Sequence, residues 1–216
     1  AHTTAAAFCK HAAEHSSIAK DVSDSGLPAN VHKSVLSDLM QEASQSLLQL
    51  HGAQGYRLDH IAGRAVVDSR PYQIFEGSND VIYHQIATAY LRFMSRIREF
   101  RLDAALRRHQ LTARSADLVE KTLGFTLDHA LPQRKLVDLG AIIGRAAAIG
   151  FLLDLGDAGF DTRLVDAAVA VHREKIAGLA AVFGRPVAAS WNDETPSDVT
   201  WQQCSRPGDE TAGARR

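Results

Sequence analysis

Cysteine is almost missing from this chain: Cys9 and Cys204 stand near opposite ends in unrelated contexts, which excludes a disulfide framework and a zinc site built on paired thiolates. The scarcity suits a reducing cytoplasm. Aromatic residues make up 6% of the sequence, and between residues 31 and 185 proline occurs only as Pro71 and Pro132, a balance that favours helices over strands. Charge of one sign is lacking too: a formal net charge of -1 leaves no overall field to draw in nucleic acid or an acidic membrane surface. The most apolar stretch, Leu136 to Leu155, is interrupted by Asp138, Arg145 and Asp154, which argues against a membrane span. No basic-then-apolar leader opens the sequence. It starts at Ala1, already inside a helical pattern, and is expected to be a fragment or a processed subunit.

What is present is alanine, leucine and helical periodicity. With 216 residues and 45% hydrophobic content the chain can bury a core, and the expected fold is all-α. Ala5, Phe8, Cys9, Ala12 and Ala13 fall at helical spacing, and the pattern stops in the turn-rich run from Ser23 to Pro28. A longer helix carries Val35, Leu36, Leu39, Met40, Ala43, Leu47 and Leu50 on one stripe and ends at Gly52 and Gly55. From Tyr56 to Phe75 a short helix and a loop are expected, broken at Pro71. Ser78 can cap the next helix, in which Ile82, Ile86, Ala89, Phe93 and Ile97 recur every three or four residues. Three further helices are read at Leu118 to Leu131, Leu136 to Leu153 and Val165 to Phe183, with Gly140 and Gly144 spaced to permit close helix packing. From Pro186 the sequence turns polar around the isolated Trp191 and Trp201, and a weakly ordered tail is expected there.

Two short segments carry the chemistry. The first is Gln49-Leu50-His51-Gly52-Ala53-Gln54-Gly55-Tyr56; the second, Tyr72 to Asp80, centres on Phe75-Glu76-Gly77-Ser78. Glycines at 52 and 55 let the main chain approach a ligand closely, and the free N–H groups at a helix start favour an anionic group nearby. A phosphate-bearing ligand suits that arrangement. Glu76 has an apolar neighbour on one side and unobstructed backbone on the other. A carboxylate buried beside an acyl chain becomes a weaker acid and a better general base, which suits proton abstraction next to a carbonyl.

At this spacing the pair resembles the acyl-CoA dehydrogenase signature, usually written Q-x-x-G-G-x-G-[YF] and I-[YF]-E-G-[TS]. The resemblance implies a C-terminal helical bundle over residues 1–97, incomplete at its N-terminus, then a helical extension over 98–185 that could form a dimerisation layer, and the tail over 186–216. It implies an FAD-dependent oxidoreductase in which Glu76 removes the α-proton of an acyl-CoA while a hydride leaves the β-carbon for the flavin, giving a trans-2-enoyl-CoA. Phe75 and Gly77 would border the substrate. Gln49, Gly52 and Ala53 would approach the pyrophosphate of an FAD held mainly by a neighbouring subunit, and Ser78 and Asp80 its ADP part, so a homodimer or higher oligomer is implied. Electron-transferring flavoprotein is the family's usual acceptor. Ala53 stands where the second glycine is usual, Ser78 for the commoner Thr, Asp80 for Glu or Gln, and Val67 for an Arg.

The same resemblance implies an amino-terminal helical domain and a middle β-domain that this chain does not contain, so these residues alone are expected not to turn over substrate. Two other readings compete: a non-catalytic relative, flavin-binding or DNA-associated through the run from Arg92 to Arg114, and a flavin monooxygenase relative. The arginine run is most simply a solvated face, and nucleic acid is not expected as a partner. His11 and His15 have the spacing of a metal pair on one helix face, but no third ligand is identifiable and no metal is expected. His172 lies on an apolar stripe and reads as a core histidine.

Overall fold

The computed structural model describes residues 1–17, 19, 26–57, 59–128 and 130–183. The expected tail from residue 186, with Trp191, Trp201 and Cys204, lies outside the described residues. Eight α-helices are formed among those described: α1 (His2–His15), α2 (Gly26–His51), α3 (Ile61–Ser69), α4 (Asn79–Ile97), α5 (Leu102–Arg108), α6 (Ala116–Leu123), α7 (Gln133–Asp157) and α8 (Thr162–Phe183). No strand is found among them, only an isolated bridge between Arg101 and Thr126, so the fold is all-α.

Residues 1–184 form one compact unit around α7, which packs against α1, α2, α4 and α8. By length and composition α7 could cross a membrane. In the bundle, however, 83% of its most apolar window is buried, and Leu139, Ile142, Ile143, Ile149 and Leu152 are core residues. The buried cluster runs without a break from Phe8 of α1 through Ile86 and Tyr90 of α4 to Ile176 of α8. Two glycines allow α7 to reach its neighbours. A Cβ on Gly140 would stand 1.9 Å from the Tyr83 carbonyl oxygen, so the backbones of α7 and α4 are in direct contact there.

Several details differ from the periodic reading, each for a physical reason. The inward face of α1 is Thr4, Ala7 and Phe8, while Cys9 is exposed. Gly26, Leu27 and Pro28, read as part of a turn, form the first turn of α2, where proline's missing N–H costs nothing. On α2 the expected stripe is only half right. Val35 and Leu39 are buried, but so are Ser34, Ser37, Gln41 and Ser44, whereas Leu50 is 86% exposed. The serines return their hydroxyl hydrogens to carbonyls one turn back, as Ser34 does to Asn30 at 2.8 Å, which makes a polar face tolerable inside the bundle. The helix expected to Leu131 stops at Leu123, because the chain beyond Gly124 pairs with residues 100–102: Leu102 N–H donates to Phe125 at 3.0 Å and Leu127 N–H to Phe100 at 2.9 Å.

The core also holds charge and imidazole. Arg145 is 7% exposed, pairs with Glu42 at 3.5 Å, and leaves Nε and Nη1 without partners among the described residues. His172, expected as a satisfied core histidine, is 1% exposed and meets Thr4 Oγ1 through Nε2 at 3.2 Å, while its Nδ1 has no hydrogen-bond partner among the described residues. Burial above all, then the Arg145 and Lys175 cations, push its pKa down to about 3. Because the unfolded chain binds this proton near pH 6.5 and the folded chain does not, its contribution is complete above that pH and is lost as pH falls toward 3. Between pH 7 and pH 5 that linkage removes about 2 kcal/mol of stability. Urea unfolding should therefore show His172→Leu losing about 2 kcal/mol less than wild type over the same interval; equal losses would mean that His172 is not the coupled group.

Candidate active site

Glu76 sits on the turn that links a 3₁₀ segment, Arg70–Gln73, to the start of α4. Pro71 is the second residue of that segment, and its carbonyl accepts the N–H groups of Ile74 and Phe75 at 2.9 and 2.8 Å. The chain then turns through two left-handed residues, Glu76 at φ 58° and Gly77 at φ 98°, before Ser78 leads into α4. Gly77 adopts this conformation freely; Glu76 does so at a cost of about 1–2 kcal/mol, the kind of strain that accumulates at functional sites. Ser78 occupies the N-cap position, but its hydroxyl makes no capping bond.

Beside this turn lies a groove of about 720 Å³. Leu36 and Met40 of α2 form one wall with Lys33, and Pro71, Tyr72 and Phe75 form the other with Glu76 at the edge. Its size and largely apolar lining suit an extended organic ligand. Glu76 is itself exposed, as is Phe75 at 68%, so this chain alone does not provide the burial that a tuned general base needs. That covering must come from the ligand or from other parts of the protein.

The expected site residues fall into two groups that the chain keeps apart. Phe75, Glu76, Gly77, Ser78 and Asp80 are together at the groove and the first turn of α4. Gln49, Gly52 and Ala53, all exposed, are at the far end of α2. Roughly sixteen residues of continuous helix, about 24 Å, separate Gln49 from Lys33, which touches the Glu76 turn. Gly52, at φ 57°, ends α2 in left-handed conformation, with nothing near the position a Cβ would take. Gly55 has a packing reason: a Cβ there would lie 2.8 Å from that of His51.

The polar residues of α2 gather under the Glu76 turn, an arrangement that the periodic reading missed. Lys33 Nζ donates to the Gly77 carbonyl at 2.7 Å and to Asn79 Oδ1 at 2.8 Å. Asp38 accepts from Asn79 Nδ2 at 2.6 Å, from Gln73 Nε2 at 2.7 Å and from the Tyr83 hydroxyl at 2.6 Å. Burial beside this network raises the Tyr83 pKa well above its ordinary value, with the Asp38 charge adding to the effect, so the phenol stays a donor. The readable signal was the series Lys33, Ser34, Ser37, Asp38 and Gln41, which recurs at helical spacing along α2.

A second cavity, about 750 Å³, shares His32 and Lys33 with the first and is walled by His11, His15, His109 and Phe151. His11 Nδ1 lies 3.0 Å from His32 Nε2, and the His11 and His15 rings stack at 4.3 Å. Burial lowers the pKa of His32 to about 4 and that of His11 and His109 below the usual value, so these imidazoles are neutral at pH 7. Among the described residues no three His, Cys, Asp or Glu side chains are grouped to hold a metal ion. The arginine run is partly neutralised: Arg107 meets Asp103, Asp117 and Glu120, Arg101 meets Asp103, and Arg114 meets Asp154 and Asp157.

Fold and groove together define a class, a helical-bundle domain with an open, apolar-walled cleft. Within that class, residues 2–91 match the family described as acyl-CoA dehydrogenase, C-terminal domain. No curated protein and no solved structure matches the chain.

Proposed function

We propose that this chain is the C-terminal part of an FAD-dependent acyl-CoA dehydrogenase and that Glu76 is the base that takes the substrate α-proton. The observation that carries the reading is the placement of Glu76 on a left-handed turn at the edge of an apolar groove, inside the segment that matches the family. An acyl chain laid against Leu36, Met40 and Phe75 would bring its α-carbon to the carboxylate and exclude water from it. The Glu76 N–H, at a turn outside any helix, would donate to the thioester carbonyl and stabilise the enolate that forms as the proton leaves. Phe75 and Gly77 would border the thioester.

Bound FAD would accept the hydride from the β-carbon. The donors present fit such a group approached from outside this chain: Gln49, Gly52 and Ala53 are exposed at one end of α2, and the Ser78 hydroxyl, not engaged in a cap, lies with Asp80 at the other. Their separation supports a cofactor shared between subunits, hence a homodimer or larger assembly. The amino-terminal and β-domain portions would come from the same gene or from a partner subunit, and electron-transferring flavoprotein would be the acceptor.

The test is anaerobic addition of acyl-CoA esters of graded length to the flavin-loaded, full-length protein. The reading predicts loss of the oxidised flavin absorbance and a trans-2-enoyl-CoA product. Bound flavin that no acyl-CoA reduces would overturn it.

A further inference from the structure

The turn that carries Glu76 is gripped from one side by α2. Upstream, the Gln73 amide donates to Asp38 at 2.7 Å; downstream, the Gly77 carbonyl accepts from Lys33 at 2.7 Å. One residue further, Asn79 completes the grip. It is 7% exposed, accepts from Lys33 at 2.8 Å, and donates to Asp38 at 2.6 Å and to Ser37 Oγ at 2.9 Å. Asp38 is itself fixed by the Tyr83 hydroxyl at 2.6 Å, and the Tyr83 backbone abuts Gly140 of α7. The strained pair Glu76–Gly77 is therefore bracketed by contacts that all end on α2, and α2 is anchored to the core.

We propose that Lys33 and Asp38 are positioning residues for Glu76, holding the Gly77 carbonyl and the flanking Gln73 and Asn79 amides so that the carboxylate is presented to the groove in one orientation. The inference rests on the reading of Glu76 as the base. Neither residue need touch the reacting atoms. Strain of the kind seen at Glu76 persists only where its surroundings over-determine it, and without Lys33 the Gly77 carbonyl loses its charged donor. A misplacement of about 1 Å can slow a reaction about a hundredfold, so a loosened turn should be visible in the rate.

The test compares wild type with Lys33→Met, which keeps the apolar stem and removes the donor, and with Lys33→Arg, which restores one. In the first measurement, amide hydrogen exchange over residues 74–78 is followed without substrate. Lys33→Met should raise it about tenfold while peptides from α7 and α8 stay unchanged, and Lys33→Arg should bring it back toward wild type. Unchanged exchange in Lys33→Met would overturn the proposal. In the second, acyl-CoA-dependent flavin reduction in the full-length protein should show a limiting rate lower by about thirtyfold to a hundredfold at an unchanged half-saturating concentration. A raised half-saturating concentration at unchanged limiting rate would make Lys33 a ligand-binding residue instead, and would overturn it too. Should wild type reduce no flavin at all, the dehydrogenase reading falls while the exchange measurement still decides whether Lys33 holds the turn.

Discussion

Gly140→Ala should lower the melting temperature by about 6–12 °C, although alanine is the better helix former by about 1 kcal/mol. The added Cβ would sit 1.9 Å from the Tyr83 carbonyl oxygen, 2.5 Å from its carbon and 2.8 Å from the Tyr83 Cα. All three are backbone atoms of α4, so no rotamer change relieves the clash and the two helices must separate. Overpacking of this kind costs about 3 kcal/mol or more, and Gly140→Val should leave no folded protein. Two other glycines supply the controls. A Cβ on Gly144 meets Val35 Cγ2 at 3.0 Å, a side-chain end that can yield, and Gly144→Ala should change stability by less than about 1 kcal/mol. Gly178 has nothing within 4 Å, and Gly178→Ala should stabilise by up to about 1 kcal/mol. Thermal unfolding of the three variants checks the order; a stable Gly140→Ala would contradict the contact between α4 and α7.

That contact bears on the Glu76 site, because Tyr83 meets Gly140 with its backbone and Asp38 with its hydroxyl. Helix α7, beyond the family segment, thereby fixes the partner of Asp38, which in turn receives the groups on either side of Glu76. The family match ends at residue 91 while α4 runs to Ile97 and its buried face continues into Met94, so the core does not end with the segment.

Most helices were readable from spacing, since an apolar residue every third or fourth position has one economical fate in a bundle. Misreadings arose where a polar group had a private partner. Ser34, Ser37 and Gln41 lie outside the stripe read from the spacing, yet they are buried because Asn79, Ser69 and the helix's own carbonyls satisfy them. Leu50, assigned inward, is exposed because α2 ends just beyond it at Gly52. The position of Glu76 ahead of a helix start was legible, and so was the glycine after it. The left-handed φ of Glu76 was not, since no side-chain type announces it, and neither was the grip of Lys33, set by contacts more than forty residues apart. The distance between the motif's two halves was not legible either: along α2 about 24 Å separates Gln49 from Lys33, which touches the Glu76 turn.

The central claim is that the Glu76 carboxylate removes the α-proton. Glu76→Gln keeps the shape and nearly the volume of the side chain and removes only its basicity. The residue is exposed and no side-chain hydrogen bond to its carboxylate is formed among the described residues, so the fold should not notice the change. A general base contributes about two to four powers of ten, and substrate desaturation cannot proceed if the proton stays. The deciding measurement is stopped-flow reduction of the bound flavin by acyl-CoA in the full-length protein, wild type against Glu76→Gln, at matched flavin content. The account predicts a variant that holds its FAD and is reduced at least about a hundredfold more slowly; equal rates in the two proteins would place the base elsewhere.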